Sequence, residues 1–119
     1  MEKLLIICTH GEDNPEKATL PFVMAVTAFA SGMEPVVALQ SMGIYLAKKG
    51  YAKHVHEASF PPLEDLMTTF MEAGGKLLVC SPCMKKRGVD QGDLIEGSVV
   101  VNAPTLVKEI GEAKAVLTY

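Results

Sequence analysis

The chain is poor in the features that mark several classes of protein. It has no tryptophan, and its three cysteines cannot all pair, which excludes the disulfide framework of a small secreted protein. Acidic residues outnumber basic ones 14 to 11, so there is no general basic field to attract nucleic acid or anionic lipid. The apolar run at residues 4–8 is too short for a secretory signal. We therefore expect a cytoplasmic protein with reduced thiols, no membrane partner and no direct nucleic-acid partner.

Apolar side chains, by contrast, are plentiful. Hydrophobic residues make up 49% of the 119 positions, which is enough for a real core in a single domain. The mean hydropathy of +0.24 is high for a chain this small, whose surface is large relative to its volume. We therefore expect part of the apolar surface to contact another subunit.

Short apolar runs and helical patterns alternate along the chain. Five runs rich in branched residues predict strands at residues 4–8, 36–39, 77–80, 99–101 and 115–117. Between them, apolar residues recur at helical spacing, with Pro61-Pro62 before one helix, Gly74-Gly75 after it, and Asn102 as the cap of another. A short helix is also predicted from Ser41. The alternation predicts an α/β sandwich with right-handed crossovers.

One predicted helix carries no charge. Residues 18–33 contain apolar side chains on all sides, although the segment is too short to span a bilayer comfortably. A helix that flanks the sheet of a small monomer should present one polar face to water. We therefore expect this helix to form a subunit interface, with Phe22, Met24 or Phe29 in the contact.

The corner after the third strand has the clearest chemical signature. Cys80 ends a strand, Ser81 can cap a helix, Pro82 fits the first helical position, and Cys83 lies on the first turn. A thiol at a helix N-terminus, close to the cationic residues 85–87, is expected to have a lowered pKa and to act as a nucleophile. Cys8, in a buried strand, is expected to stay an inert thiol.

Two other corners are expected to meet this one, because ligands bind beyond the carboxyl ends of parallel strands. We take Cys80 and Cys83 as candidate catalytic residues. The candidate substrate-binding residues come from the three corners and are Thr9, His10, Gly11, Ser41, Met42, Gly43 and Ser81. The first loop could also bind an anion at the N-terminus of the helix that follows it. No motif for a bound cofactor or a phosphate is present.

Two other interpretations of the Cys80 corner remain open. Cys80 and Cys83 could form half of a zinc or iron–sulfur site, with Cys8 and His10 completing it. Cys-x-Pro-Cys between a strand and a helix is also the redox arrangement of thioredoxin. However, the motif follows two or three strand–helix units here, and Val79 stands where an aromatic residue would be expected. Both interpretations are less favoured than a reactive Cys80.

Several segments together resemble the DsrE/DsrF-like family. The matching segments are residues 9–22, 43–50, 72–76, 79–83 and 93–97, together with the closing strand. The resemblance implies one three-layer α/β/α domain over residues 1–119, with a five-stranded, mostly parallel sheet, assembled as a homotrimer or homohexamer. The better-understood members relay sulfur as a cysteine persulfide during sulfur oxidation or thiolation of transfer RNA. Their reactive cysteine corresponds to Cys80.

The resemblance and the residues together predict a sulfur-handling protein, either a sulfurtransferase or a sulfur carrier. Cys80 is expected to accept sulfane sulfur from a donor protein and to pass it to an acceptor. Ser81 and the amides that follow would stabilise the anion, while Cys83 would resolve or protect the persulfide. Two alternatives remain, a non-catalytic module that binds a small anion or nucleotide in the same crevice, and a thiol peroxidase using Cys80 and Cys83.

Overall fold

Five parallel strands form the centre of the molecule, whose computed structural model describes residues 1–119. The strands lie in the order β4-β3-β2-β1-β5, and each neighbouring pair is parallel. Their bounds are Lys3–Cys8 (β1), Glu34–Leu39 (β2), Lys76–Cys80 (β3), Ser98–Val101 (β4) and Ala115–Thr118 (β5). The predicted α/β class and the five strands are confirmed. The sheet is entirely parallel, where a mostly parallel one was expected.

Helices cover both faces of the sheet. They are α1 (Pro15–Ala30), α2 (Leu63–Glu72), α3 (Ser81–Lys86) and α4 (Ala103–Glu112). Side chains alternate across a strand, so Leu4 and Ile6 of β1 join the larger core beneath α1 and α2, whereas Leu5 joins the smaller core beneath α4. α3 lies on the side of α1 and α2, because its Met84 belongs to the larger core. None of the helices combines the length and the apolar character that crossing a bilayer requires.

The uncharged helix packs mainly inside the chain. α1 begins at Pro15, where the Asn14 side chain accepts a hydrogen bond from the Lys17 amide at 3.1 Å. Phe22 is fully buried and meets Phe70 of α2 edge to face, with the ring centroids 5.7 Å apart. Phe22 is therefore wrong as a subunit contact, because α2 already covers it. Phe29 also packs on the core, and Met24 is the large apolar side chain that α1 leaves exposed.

The short helix predicted from Ser41 is present as a 3-10 helix over Ser41–Ala47. Two expectations about helix caps differ from the structure. Asn102 accepts a hydrogen bond from the Thr105 hydroxyl at 3.3 Å and caps no backbone amide of α4. Ser81 is the first residue of α3 rather than its cap, since the N-cap position belongs to Cys80.

A buried carboxylate ties α4 to the sheet. Glu109 is 5% exposed and pairs with Lys3 of β1 at 3.1 Å and with Lys76 of β3 at 2.6 Å. Burial alone would raise the pKa of Glu109, but the hydrogen bonds from Lys76 and Lys3 hold it below its usual value. This contact fixes the helix that forms one wall of the site described next.

Candidate functional site

The connections after β3 and β4 leave the sheet in opposite directions. β3 continues into α3 on the face of α1 and α2, whereas β4 continues into α4 on the other face. Such a divergence between adjacent strands opens a crevice at their carboxyl ends. A cleft of about 280 Å³ lies there, and its lining residues are Gln40, Cys80, Pro82, Val101, Asn102, Ala103, Leu106 and Val107.

Cys80 lies at the end of β3, half-buried in the wall of this cleft. Burial raises the pKa of its thiol above the ordinary 9.0, and hydrogen bonding with the Cys83 thiol raises it further. The Cys83 amide and the Arg87 charge act in the opposite direction but do not reverse the shift. The prediction of a lowered Cys80 pKa is therefore wrong, because desolvation and a neighbouring thiol outweigh the amides of a six-residue helix.

Cys83 is held by the corner that follows β2. The Ser41 backbone N–H donates a hydrogen bond to the Cys83 sulfur at 3.3 Å. Ser41 makes this contact in the left-handed region of backbone space, at a φ of 53°. Arg87 joins the same two residues, since its guanidinium donates to the Cys83 carbonyl at 3.2 Å and to the Ser41 hydroxyl at 3.5 Å. The neighbouring Lys85 and Lys86 are exposed.

The corner after β1 makes local contacts instead of facing the Cys80 cleft. The Thr9 amide and hydroxyl both donate to the Tyr119 carbonyl, at 2.9 and 2.8 Å. His10 Nδ1 lies 2.6 Å from an Asp13 carboxylate oxygen, and the Gly11 amide donates to the other oxygen at 2.7 Å. Thr9, His10 and Gly11 were predicted to bind substrate, and none of them lines the cleft.

The corner after β2 lies between the other two and packs closely. A Cβ on Gly43 would overlap the Cys8 carbonyl, so only glycine fits there. Of the predicted binding residues in this corner, Ser41 contacts Cys83, whereas Met42 and Gly43 do not line the cleft. Ser81 also lies outside it, with its side chain exposed. The three corners share one edge of the sheet, but of the residues in the corners after β1 and β2 only Gln40 and Ser41 reach the cysteine pair.

The predicted four-ligand metal arrangement does not assemble. Cys8 is fully buried, and its thiol hydrogen-bonds to the carbonyls of His10 and Lys17 at 3.5 and 3.9 Å. Burial raises the pKa of Cys8 to about 11, in the direction expected for a thiol buried in this strand. Cys8 and His10 therefore do not join Cys80 and Cys83.

The far wall of the cleft consists of residues that the sequence analysis did not assign to the site. Val101 ends β4, Asn102 follows it, and Leu106 and Val107 belong to α4. They face Cys80 because β4 is the neighbour of β3 and because α4 crosses to the opposite face. Apolar periodicity does not reveal the order of the strands in the sheet or the face on which each helix crosses. The corner Val101-Asn102-Ala103 could nevertheless have been considered together with the other three corners.

Solved structures with the same fold cover the full chain. The YchN protein from E. coli superposes with a TM-score of 0.83 at 17% identity, and all of both chains is covered. MTH1491, a protein of unknown function from Methanobacterium thermoautotrophicum, superposes with a TM-score of 0.79 at 18% identity, again over all of both chains. At such low identities the likeness concerns the fold.

Two sequence relatives come from Methanocaldococcus jannaschii. The uncharacterized protein MJ0989 of Methanocaldococcus jannaschii is 31% identical over 117 residues, which are 98% of this chain and 99% of that protein. The uncharacterized protein MJ0760 of the same organism is 34% identical over 112 residues, covering 94% of this chain but only 41% of that longer protein. A sequence model of the DsrE/DsrF-like family matches residues 2–119, and the protein therefore belongs to the DsrE/DsrF-like family.

Proposed function

We propose that the protein handles sulfur, with Cys80 as the residue that carries a sulfane sulfur atom. The observation that supports this most strongly is the position of the three thiols. Cys80 alone lines the cleft at the carboxyl ends of the strands, whereas Cys8 is sealed in the core and Cys83 is held by the Ser41 amide behind it. A small donor group entering the cleft would therefore meet the Cys80 sulfur.

Loading is a sulfur exchange that needs no external oxidant. The Cys80 thiolate attacks the outer sulfur of a persulfide or polysulfide, a new bond forms between the two sulfurs, and the donor leaves as a thiolate. The proton of the Cys80 thiol goes to solvent. An acceptor thiolate then attacks the outer sulfur of the Cys80 persulfide, takes that sulfur and restores Cys80. Donor and acceptor would be partner proteins or small thiols.

The raised pKa of Cys80 suits a carrier better than a permanently reactive thiolate. The empty thiol stays mostly protonated near neutral pH and reacts slowly with unrelated electrophiles. A persulfide is a stronger acid than a thiol, so loading would place a negative charge in the cleft. Two amide side chains, Gln40 and Asn102, line the cleft with Cys80 and can donate hydrogen bonds to such an anion.

Cys83 would end the loaded state. Its thiolate can attack the inner sulfur of the Cys80 persulfide, form a Cys80–Cys83 disulfide and release hydrosulfide. The Cys83 thiol lies near enough to Cys80 to contribute to its raised pKa. The Ser41 amide fixes the Cys83 sulfur and would strengthen its hydrogen bond when that sulfur carries charge.

Intact-mass measurement after incubation with polysulfide tests the proposal. The wild-type protein should gain the mass of one sulfur atom, the C80S variant should gain none, and the C8S variant should behave as wild type. A C80S variant that still loads would contradict the role of Cys80. A small anion that binds C80S and wild type equally well would favour a non-catalytic binding module.

The influence of the Cys83 thiol on the Cys80 pKa, which requires the two thiols to be close, also supports a second candidate, a thiol peroxidase. Peroxide would oxidise Cys80 to a sulfenic acid, which Cys83 would convert to a disulfide with loss of water. Rapid peroxide reduction requires a large thiolate fraction, which the raised Cys80 pKa works against, whereas sulfur exchange with a donor held in the cleft can proceed through a smaller fraction. Rapid peroxide consumption at neutral pH that depends on Cys80 would favour the peroxidase over the carrier.

We also propose that the protein is a homo-oligomer, a trimer or hexamer, and that the face of α4 forms its contact. Four large apolar side chains on that side of the sheet are exposed, namely Val99 (45%), Val107 (64%), Ile110 (38%) and Val116 (41%). On α1, Met24 is the one comparable side chain, at 36%. The uneven distribution favours the α4 face, since apolar area removed from water drives association.

A further inference from the structure

A second cleft lies on the opposite side of the sheet from the Cys80 cleft. It has a volume of about 460 Å³, within the range of small-molecule sites, and shares no lining residue with the Cys80 cleft. Its walls are one face of α2, the loop after β2 and the turn that leads into β4. The sulfur chemistry proposed above makes no use of it.

The floor of this cleft is apolar and adaptable. Leu46, Met67, Met71 and Ile95 line it, and two of the four are methionines, whose unbranched side chains adjust to the shape of a ligand. Gly97 leaves room for this arrangement, because a Cβ there would lie 2.9 Å from the Met71 methyl carbon. An apolar body can therefore be accommodated between α2 and the turn.

The rim of the cleft is acidic and unpaired. Glu64 and Glu72 of α2 and Glu96 of the turn line it, against the single cation Lys48. None of these four side chains forms an ion pair within the protein. Three carboxylates and one ammonium leave two formal negative charges without a partner around an apolar floor.

We propose that this cleft binds a small organic cation with an apolar body, such as a protonated alkylamine. The floor would take the hydrocarbon part, and the three rim carboxylates would attract the ammonium group. A carboxylate ligand would meet repulsion from the same rim, so the site discriminates by charge as well as by shape. The proposal is independent of the function of Cys80.

The methionine methyl groups provide a direct probe. With methyl-labelled methionine, the wild-type protein is titrated with hexylammonium, and hexanol and hexanoate serve as neutral and anionic counterparts. We expect saturable shifts of the Met67 and Met71 methyl signals, with the other five of the seven methionines unaffected. Hexanoate should bind about fivefold more weakly than hexylammonium, with hexanol between them.

Variants separate the role of the rim from general charge. The E64Q/E72Q double variant should weaken hexylammonium binding about fivefold without changing hexanol binding. The E16Q/E34Q double variant removes the same charge from exposed carboxylates outside the cleft and should bind as wild type. Absence of shifts, shifts of all methionines, or equal binding of the three ligands would overturn the proposal. So would Met67 and Met71 signals that move with protein concentration alone, since a second copy would then occupy the cleft.

Discussion

The backbone amide of Ser41 donates a hydrogen bond to the sulfur of Cys83 over 3.3 Å. This contact joins the corner after β2 to the first turn of α3, and it depends on the left-handed conformation of Ser41. Arg87 reinforces it by bonding to both residues. The second thiol of the motif is therefore held by backbone geometry, while Cys80 faces the cleft.

Replacing Ser41 with glycine should stabilise the protein, because glycine adopts a φ of 53° without the roughly 1 kcal/mol that other residues lose there. The loss of the hydroxyl contact with Arg87 offsets only part of this gain, since that contact is long, at 3.5 Å. Urea unfolding measures the free energy of unfolding of each variant. The S41A variant, which keeps the strain and loses the hydroxyl, is the matched control. A glycine variant less stable than S41A would contradict the assigned conformation.

The alkylation rates of the three thiols should fall in the order Cys80, Cys83, Cys8. Cys80 should be first because it lines the cleft, and Cys8 should be last because it is buried. Because the pKa of Cys80 lies above 9.0, its rate should be low at neutral pH and should still be rising past pH 9. Site-resolved mass spectrometry of alkylated peptides against pH checks both points. A Cys80 rate that levels off below pH 8 would show a thiolate stabilised by α3 and would contradict the raised pKa.

Cys8 should make the protein sensitive to alkali. Its pKa is raised to about 11 in the folded protein from 9.0, so the stability linked to its protonation is complete below pH 9 and is lost as the pH rises towards 11. Urea unfolding of wild type and of C8A between pH 8 and pH 11 compares the slopes. The variant should be less stable at pH 8, and its stability should fall less steeply above pH 9. Parallel curves would exclude Cys8 as the titrating group.

Replacing Glu109 with glutamine should cost about 1–3 kcal/mol, because Lys3 and Lys76 would lose their shared partner and both are partly exposed. The exposed Glu112, which also pairs with Lys3, is the control, and E112Q should change stability by no more than about 0.5 kcal/mol. The Glu109 pKa is lowered, so its contribution is present above pH 4.5 and is lost as the pH falls through the folded pKa. Equal effects of E109Q and E112Q would contradict the buried network.

The assembly should depend on α4 rather than on α1. V107E places a charge at the most exposed of the four apolar side chains on the α4 face, and M24E places one on α1. Light scattering at micromolar concentration should give a trimer or hexamer for wild type and M24E and a smaller species for V107E. A monomeric wild type would exclude the assembly. Dissociation by M24E but not by V107E would show that α1, rather than α4, forms the subunit contact.

The sequence predicted the strands and helices of the fold better than their arrangement in space. Apolar runs and turn residues placed all five strands, because a buried parallel strand must be apolar on both faces. The same reasoning overestimated the burial of the two edge strands. Val99 of β4 and Val116 of β5 are exposed, because α4 is the single helix on their face of the sheet. The uncharged α1 suggested an outside partner, but α2 provides its cover through Phe70.

At the site, residue types predicted where the cysteines lie but not their electrostatics. Cys80 does end a strand and precede a helix, yet its pKa depends on burial and on the Cys83 thiol, which no spacing reveals. From the sequence, Thr9 and His10 were expected to be free to bind substrate. In the structure, Thr9 hydrogen-bonds to Tyr119 and His10 pairs with Asp13. Such pairings depend on tertiary contacts between residues that are far apart along the chain, or on rotamers that spacing does not specify.

The most direct test of the carrier function follows one sulfur atom through loading and transfer. The protein is loaded with polysulfide, freed of the donor and mixed with an acceptor thiol, while peptide mass spectrometry locates the added sulfur over time. We predict that the sulfur is found on Cys80, disappears as an equal amount reaches the acceptor, and persists longer on Cys80 in the C83S variant before the acceptor is added. Loading that survives in C80S but is abolished in C83S would contradict this assignment and reverse the roles of the two cysteines.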